Sequence, residues 1–150
     1  MTVYNLALGA SDGEVRFTVG LDTTNRVASG YDRNTRAVRQ QSLDNLIDNA
    51  FPIMMKIDVE GFEEEVLRGA QRLLANLCLK VIELESVTPL IETMLTDHKF
   101  KRHYYDPFSR RFCNSPTDIQ SFNSVFVRDL EFAAERLAAA EPVTVFGRAI

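Results

Sequence analysis

The sequence predicts an α/β fold, and three observations carry that reading. The apolar segment "IMMKIDV" (53–59) gives way within a few residues to a helical pattern, and a second strand-like segment, "LKVIELE" (79–85), follows directly. Alternating or apolar strand candidates also stand on both sides of this unit. Strand, helix and strand joined by such short connections imply a right-handed parallel crossover. A chain of 150 residues, 45% hydrophobic and 25% charged, can bury one ordinary core, so one domain over residues 1–150 is expected.

From the N-terminus, "VYNLALG" (3–9) and "EVRFTVG" (14–20) read as strands joined by Ser11-Asp12-Gly13, whose Asp-Gly pair suits a tight hairpin. Val15, Phe17 and Val19 alternate with Glu14, Arg16 and Thr18, which predicts one buried and one wet face. Residues 21–41 show little periodicity and read as a long surface loop or lid. Ser42 can cap a short helix reaching about Asn49, with Leu43, Leu46 and Ile47 on one face.

The segment "IMMKIDV" has the near-continuous apolar character of a strand covered on both faces. Phe62, Val66, Leu67, Ala70, Leu73, Leu74 and Leu77 then recur at the spacing of one amphipathic helix. Glu63, Glu64 and Glu65 fall in its first turn, where carboxylates oppose the positive end of the macrodipole; Glu64 and Arg68 are spaced for an i,i+4 pair. Thr88-Pro89 starts another helix, with Leu90, Ile91, Met94 and Leu95 inward, which runs out at Asp97-His98-Lys99. "FKRHYYD" (100–106) and "NSVFVRD" (123–129) form a terminal antiparallel hairpin with a long irregular tip. Residues 129–140 read as a last helix capped by Asp129, and "EPVTVFGRAI" receives no assignment.

Composition removes several function classes. A formal charge of -4 argues against a broad basic surface for nucleic acid. The basic-aromatic run 98–112 reads instead as alternating wet and buried positions of one hairpin. No apolar run approaches the roughly 18 residues that span a bilayer, and no secretory leader is recognisable, so a cytoplasmic protein without a membrane partner is expected. Cys78 and Cys113 have no partner at metal-ligand spacing and read as packed thiols.

The chemistry concentrates where the strand 53–59 meets its helix. Open α/β sheets place ligands outside the carboxyl ends of their strands, which is where Asp58 and Glu60 fall. Carboxylates there can orient an acceptor hydroxyl, accept its proton or face a cation; helix capping and turn stabilisation are the structural alternative. Gly61 permits a tight turn and close backbone approach. Glu83 and Glu85 share one face of the strand 79–85, with Glu85 nearer its end. An acid inside an apolar strand needs a partner.

"LDNLI" (43–47), "KIDVEGFEEEVLRGA" (56–70), "VIELE" (81–85) and "SFNSVFVR" (121–128) together resemble, in order, the signature segments of the FkbM family of S-adenosylmethionine-dependent methyltransferases. The resemblance implies a class I methyltransferase (Rossmann-like) fold: a mostly parallel sheet between helices, with its last strand antiparallel. It implies O-methylation of a hydroxyl on a small molecule or glycan acceptor, such as a sugar or secondary metabolite. By their place at strand ends, Asp58, Glu60 and Glu85 are the catalytic candidates and Asp58 also a cofactor-binding one; by position in the family, Asp12 is the other cofactor-binding candidate and Asn123 the substrate-orienting amide. His103 is a further candidate on the acceptor side, as general base. Asp58, Glu60 and Glu85 could also hold magnesium, as in the catechol O-methyltransferase branch of the same fold.

The resemblance also implies an N-terminally truncated domain. The Gly-rich cofactor turn and the ribose-binding acid of such folds are not found, since Gly9 and Gly13 read as hairpin residues. Without the first strand, "IMMKIDV" becomes an apolar edge, which invites a homo-oligomer or a separate N-terminal piece. A non-catalytic remnant that has lost cofactor binding is the second reading. An Asp-x-Glu at a strand end also occurs in barrel glycosidases, but the length and the absence of tryptophan for sugar stacking oppose that.

Overall fold

The computed structural model describes residues 1–48, 51–113, 115, 123–145 and 147–149. It is a mixed α/β structure whose contacts group into two compact units, Met1–Phe51 with Ile57–Leu77, and Pro52–Lys56 with Cys78–Ile150.

In the first unit, β1 (Ala7–Leu8) and β2 (Gly13–Thr18) lie on opposite sides of β3 (Thr35–Gln41). β1 runs parallel to β3, and β2 antiparallel to it over six residue pairs from Gly13↔Gln40 to Thr18↔Thr35. This corrects two expectations. The segments around Ser11-Asp12-Gly13 do not form a hairpin with each other, and residues 21–41 contain a central strand rather than loop alone. β3 escapes pattern reading because its sequence, TRAVRQQ, has no buried residue. Its place is set by main-chain pairing on both sides, which leaves no side-chain signature.

Ser42 caps α1 (Leu43–Leu46), its side chain accepting from the Asn45 amide as expected. The periodic stretch after residue 62 is two helices, α2 (Glu63–Arg68) and α3 (Gln71–Ala75), interrupted at Gly69-Ala70. The Gly69 carbonyl accepts from the Asp44 amide at 2.9 Å, and a β-carbon on Gly69 would lie 2.0 Å from the Gly9 carbonyl oxygen. Tertiary contact at a glycine therefore overrides helical spacing. Val66, Leu67, Ala70, Leu73 and Leu74 are buried, but Leu77 is exposed, since it lies beyond the end of α3. Arg68 pairs with Glu65 at 3.3 Å.

The second unit holds a sheet ordered β4 (Met54–Ile57), β5 (Val81–Leu84), β8 (Ser124–Val127), β6 (Lys101–Asp106), β7 (Arg111–Cys113). β8 runs antiparallel to both β5 and β6, so β5 and β6 point the same way. The expected pairing of 100–106 with 123–129 is present. The tip between them contributes β7, which folds back on β6 from Tyr104↔Cys113 to Asp106↔Arg111. β4 is an edge strand of this sheet and alternates: Met55 and Ile57 are buried while Met54 and Lys56 are exposed, so it is not covered on both faces.

α4 (Pro89–Asp97) starts at Thr88, whose hydroxyl accepts from the Ile91 amide; Ile91 and Leu95 are buried, but Leu90 is 41% exposed. α5 (Leu130–Ala139) starts at Asp129, whose carboxylate accepts from the Phe132 amide and meets Lys80 at 3.1 Å. The previously unassigned C-terminal segment carries β9 (Thr144–Val145) and β10 (Arg148–Ala149), which pair antiparallel. Cys78 is at the surface rather than packed, and Cys113 is half-buried; neither is in a disulfide. Among the described residues, no helix is long and apolar enough to cross a membrane.

Candidate functional site

The first unit presents an acidic turn. Beyond Ile57 the chain makes a four-residue turn, Val59 to Phe62, closed by the Phe62 amide donating to the Val59 carbonyl at 3.3 Å. Its central residues both adopt left-handed backbone, Glu60 with φ 51° and Gly61 with φ 90°. That is the φ pattern of a type I′ turn, which explains the glycine. Glu60 is the anomaly, because a β-carbon in this region costs on the order of 1–2 kcal/mol.

Glu63 stabilises the turn from below. It is only 2% exposed, and its carboxylate accepts from the Gly61 amide at 3.3 Å. Its place in the first helical turn accounts for Glu63 through the helix dipole alone, and nothing in a run of three glutamates singles out the one that folds inward. Asp58 and Glu60, in contrast, are exposed.

Asp12 lies elsewhere in the same unit. Its carboxylate accepts from the Ser42 amide at 2.9 Å, tying the start of β2 to the cap of α1. That amide, then the Asn45 side chain, holds the Asp12 carboxyl below the ordinary carboxylate range.

In the second unit Glu85, just beyond β5, is exposed. Glu83 is half-buried within β5, and Asn123, immediately before β8, donates its side-chain amide to the Glu83 carboxylate at 2.6 Å. The sequence required a partner for an acid in this strand; the partner is Asn123. Glu83, Val125 and His103 form a row across β5, β8 and β6, since Glu83 opposes Val125 and Val125 opposes His103. His103 is 8% exposed and meets Phe112 edge-on, with ring centroids 6.1 Å apart.

Beside this row is a hollow of about 460 Å³, lined on the sheet side by Val81, Glu83, Val125 and Tyr105 and on the α5 side by Phe132 and Ala133. The sequence signal for its floor was the alternation in β5, where Ile82 and Leu84 are fully buried and Val81 and Glu83 are not. What helix would stand over that face was not readable from the strand.

The Methyltransferase FkbM domain profile matches residues 3–104 of the 150. The chain belongs to the FkbM methyltransferase domain family. This FkbM domain is similar to a crystal structure of the methyltransferase FkbM from Methylobacillus flagellatus KT, with a TM-score of 0.48 and 16% identity. The match covers 84% of this chain and 28% of that chain, so the FkbM domain here spans less than a third of that protein's length. No curated protein matches it. Within the FkbM match lie the turn with Asp58 and Glu60, the pair of carboxylates Glu83 and Glu85, and Asp12; Asn123 lies outside it.

Proposed function

We propose that this chain is a class I methyltransferase domain that uses S-adenosylmethionine and methylates a hydroxyl oxygen on a small-molecule or glycan acceptor. Its membership of the FkbM family carries the reading. The strand β8, antiparallel to both β5 and β6, supports this reading, since the family resemblance implies an antiparallel strand late in a mostly parallel sheet. Residues 1–150 are, on this proposal, parts of one methyltransferase domain.

The chemistry of the donor set fits the cofactor. Asp58 and Glu60 are exposed carboxylates in one turn, and a sulfonium donor brings positive charge that carboxylates favour. In this reading Asp58 and Asp12 face the cofactor. S-adenosylmethionine supplies, when bound, an electrophilic methyl group on sulfur. Asp58 and Glu60 in the turn, and Glu85 beyond β5, are each the type of group that orients an acceptor hydroxyl and accepts its proton, which needs a carboxylate within hydrogen-bond reach rather than a covalent intermediate. Asn123 and His103 belong to the acceptor side; the hydrogen bond from Asn123 fixes the orientation of Glu83.

Calorimetric titration of the chain with S-adenosylhomocysteine tests the cofactor assignment. Saturable binding near the micromolar range, about -8 kcal/mol, is the expected result. No heat at millimolar ligand would favour the non-catalytic reading. Replacing the residue matching Asp58 by Asn in a full-length FkbM enzyme tests the chemistry. Transfer should be abolished with stability within about 1 kcal/mol of the parent, the usual scale for a surface change; full turnover would remove Asp58 from the mechanism.

A further inference from the structure

We propose that the hollow between α5 and the sheet of the second unit is a binding site for an apolar molecule carrying one hydroxyl group, which donates its hydrogen bond to Glu83. The volume of about 460 Å³ falls within the roughly 300–1,000 Å³ of small-ligand sites. The walls are largely apolar, Val81 and Val125 on the sheet and Phe132 and Ala133 on α5, with Tyr105, Glu83 and the Arg136 guanidinium supplying polar atoms. Ile53 and Met54 at the rim are each 51% exposed, so apolar surface continues outward from the hollow.

Glu83 decides the ligand's polar group. One of its oxygens accepts from Asn123 at 2.6 Å, and among the described residues no other hydrogen bond to it is formed. A half-buried carboxylate in an apolar wall gains from a second donor. A hydroxyl supplies that donor at a lower desolvation cost than an ammonium group would. Most of the lining is valine, phenylalanine, alanine and leucine, which leaves few partners for further hydroxyls, so the fitting ligand is an apolar or aromatic alcohol. This inference rests on the proposed acceptor side, where Asn123 orients Glu83, and names the acceptor class; its test uses no cofactor, so its failure is distinguishable from failure of the cofactor titration.

The test titrates the full chain with naphthylmethanol and with methylnaphthalene, followed by probe fluorescence. Naphthylmethanol should saturate one site and bind about ten-fold more tightly, as one added hydrogen bond to a carboxylate warrants. Glu83→Met should erase that preference, and Ala133→Phe, which fills the hollow, should weaken both probes. Because either variant can perturb folding, contacts between the bound probe and the Val125 and Ala133 methyl groups are also measured by NMR in the unaltered chain. Equal affinity for the two probes, or probe contacts elsewhere, overturns the proposal. So does a dimer in sedimentation that Met54→Lys dissociates, since the hollow's rim would then be a protein interface.

Discussion

Asp44 caps the helix that carries Arg72, and Arg72 caps the helix that carries Asp44. The Asp44 carboxylate accepts from the backbone amides of Arg72 at 2.7 Å and Leu73 at 3.0 Å, at the start of α3. The Arg72 guanidinium in turn donates to the carbonyls of Asp44, Ile47 and Asp48 at the end of α1, the last at 2.9 Å, and lies 5.6 Å from the Phe51 ring centre. α1 has four residues and α3 five, so neither would persist as an isolated helix. Each satisfies the unpaired terminal groups of the other.

Arg72→Ala should therefore destabilise the chain by about 1–2 kcal/mol, because three carbonyls lose charged donors while remaining open to water. Asp44→Ala should cost about 1 kcal/mol, the usual effect of losing a helix N-cap. Arg72→Lys should recover only part of the loss, since an ammonium cannot reproduce the guanidinium fork. Urea midpoints report all three; an unchanged midpoint for Arg72→Ala would show that water replaces the guanidinium at no cost.

Two glycines in this region should fail for different reasons. A β-carbon at Gly69 would sit 2.0 Å from the Gly9 carbonyl oxygen, and backbone cannot withdraw cheaply. Gly69→Ala is expected to cost at least about 3 kcal/mol, or to prevent soluble expression. Gly61 has φ 90° and nothing within 4 Å of an added β-carbon, so Gly61→Ala meets only the left-handed penalty, about 1–2 kcal/mol. Thermal unfolding that placed Gly61→Ala below Gly69→Ala would invert this account.

Acid should loosen the fold through its capping carboxylates. The Phe132 amide, then Lys80, holds Asp129 below the ordinary carboxylate range, as the Ser42 amide does for Asp12. A carboxyl depressed in the folded state contributes stability above its unfolded pKa of about 3.9, and loses it as pH falls from there through the folded value. The melting temperature should therefore drop below about pH 4. Asp129→Asn, which keeps a capping oxygen without the charge, should show a shallower drop. Parallel melting curves for the two proteins across that range would exclude Asp129 as a source.

The contrast between these residues explains what the sequence made legible. Ser42, Thr88 and Asp129 were identifiable as caps because an N-cap acts within three residues of its own position. The Gly69 break and β3 were not, since one depends on Gly9 and the other on pairing to strands on both sides. The site divides in the same way. Gly61 as a turn glycine and the need of Glu83 for a partner follow from local chemistry; the burial of Glu63 and the choice of Asn123 depend on contacts that chain order does not encode.

Glu60 allows structure and function to be separated in one residue. Its φ of 51° puts a β-carbon where glycine is preferred, so the backbone gains nothing from glutamate at this position. Glu60→Gly should then raise the stability of this chain by about 1 kcal/mol. Glu60→Asn, whose side chain tolerates left-handed backbone, should fall between the two. If the strain is retained for chemistry, the matching glycine variant of a full-length FkbM enzyme should be the more stable protein and the poorer catalyst. Denaturation midpoints and methyl-transfer rates measured on the same preparations decide it: a glycine variant that loses stability would show that the Glu60 side chain supports the turn, and one that keeps full activity would take Glu60 out of the reaction.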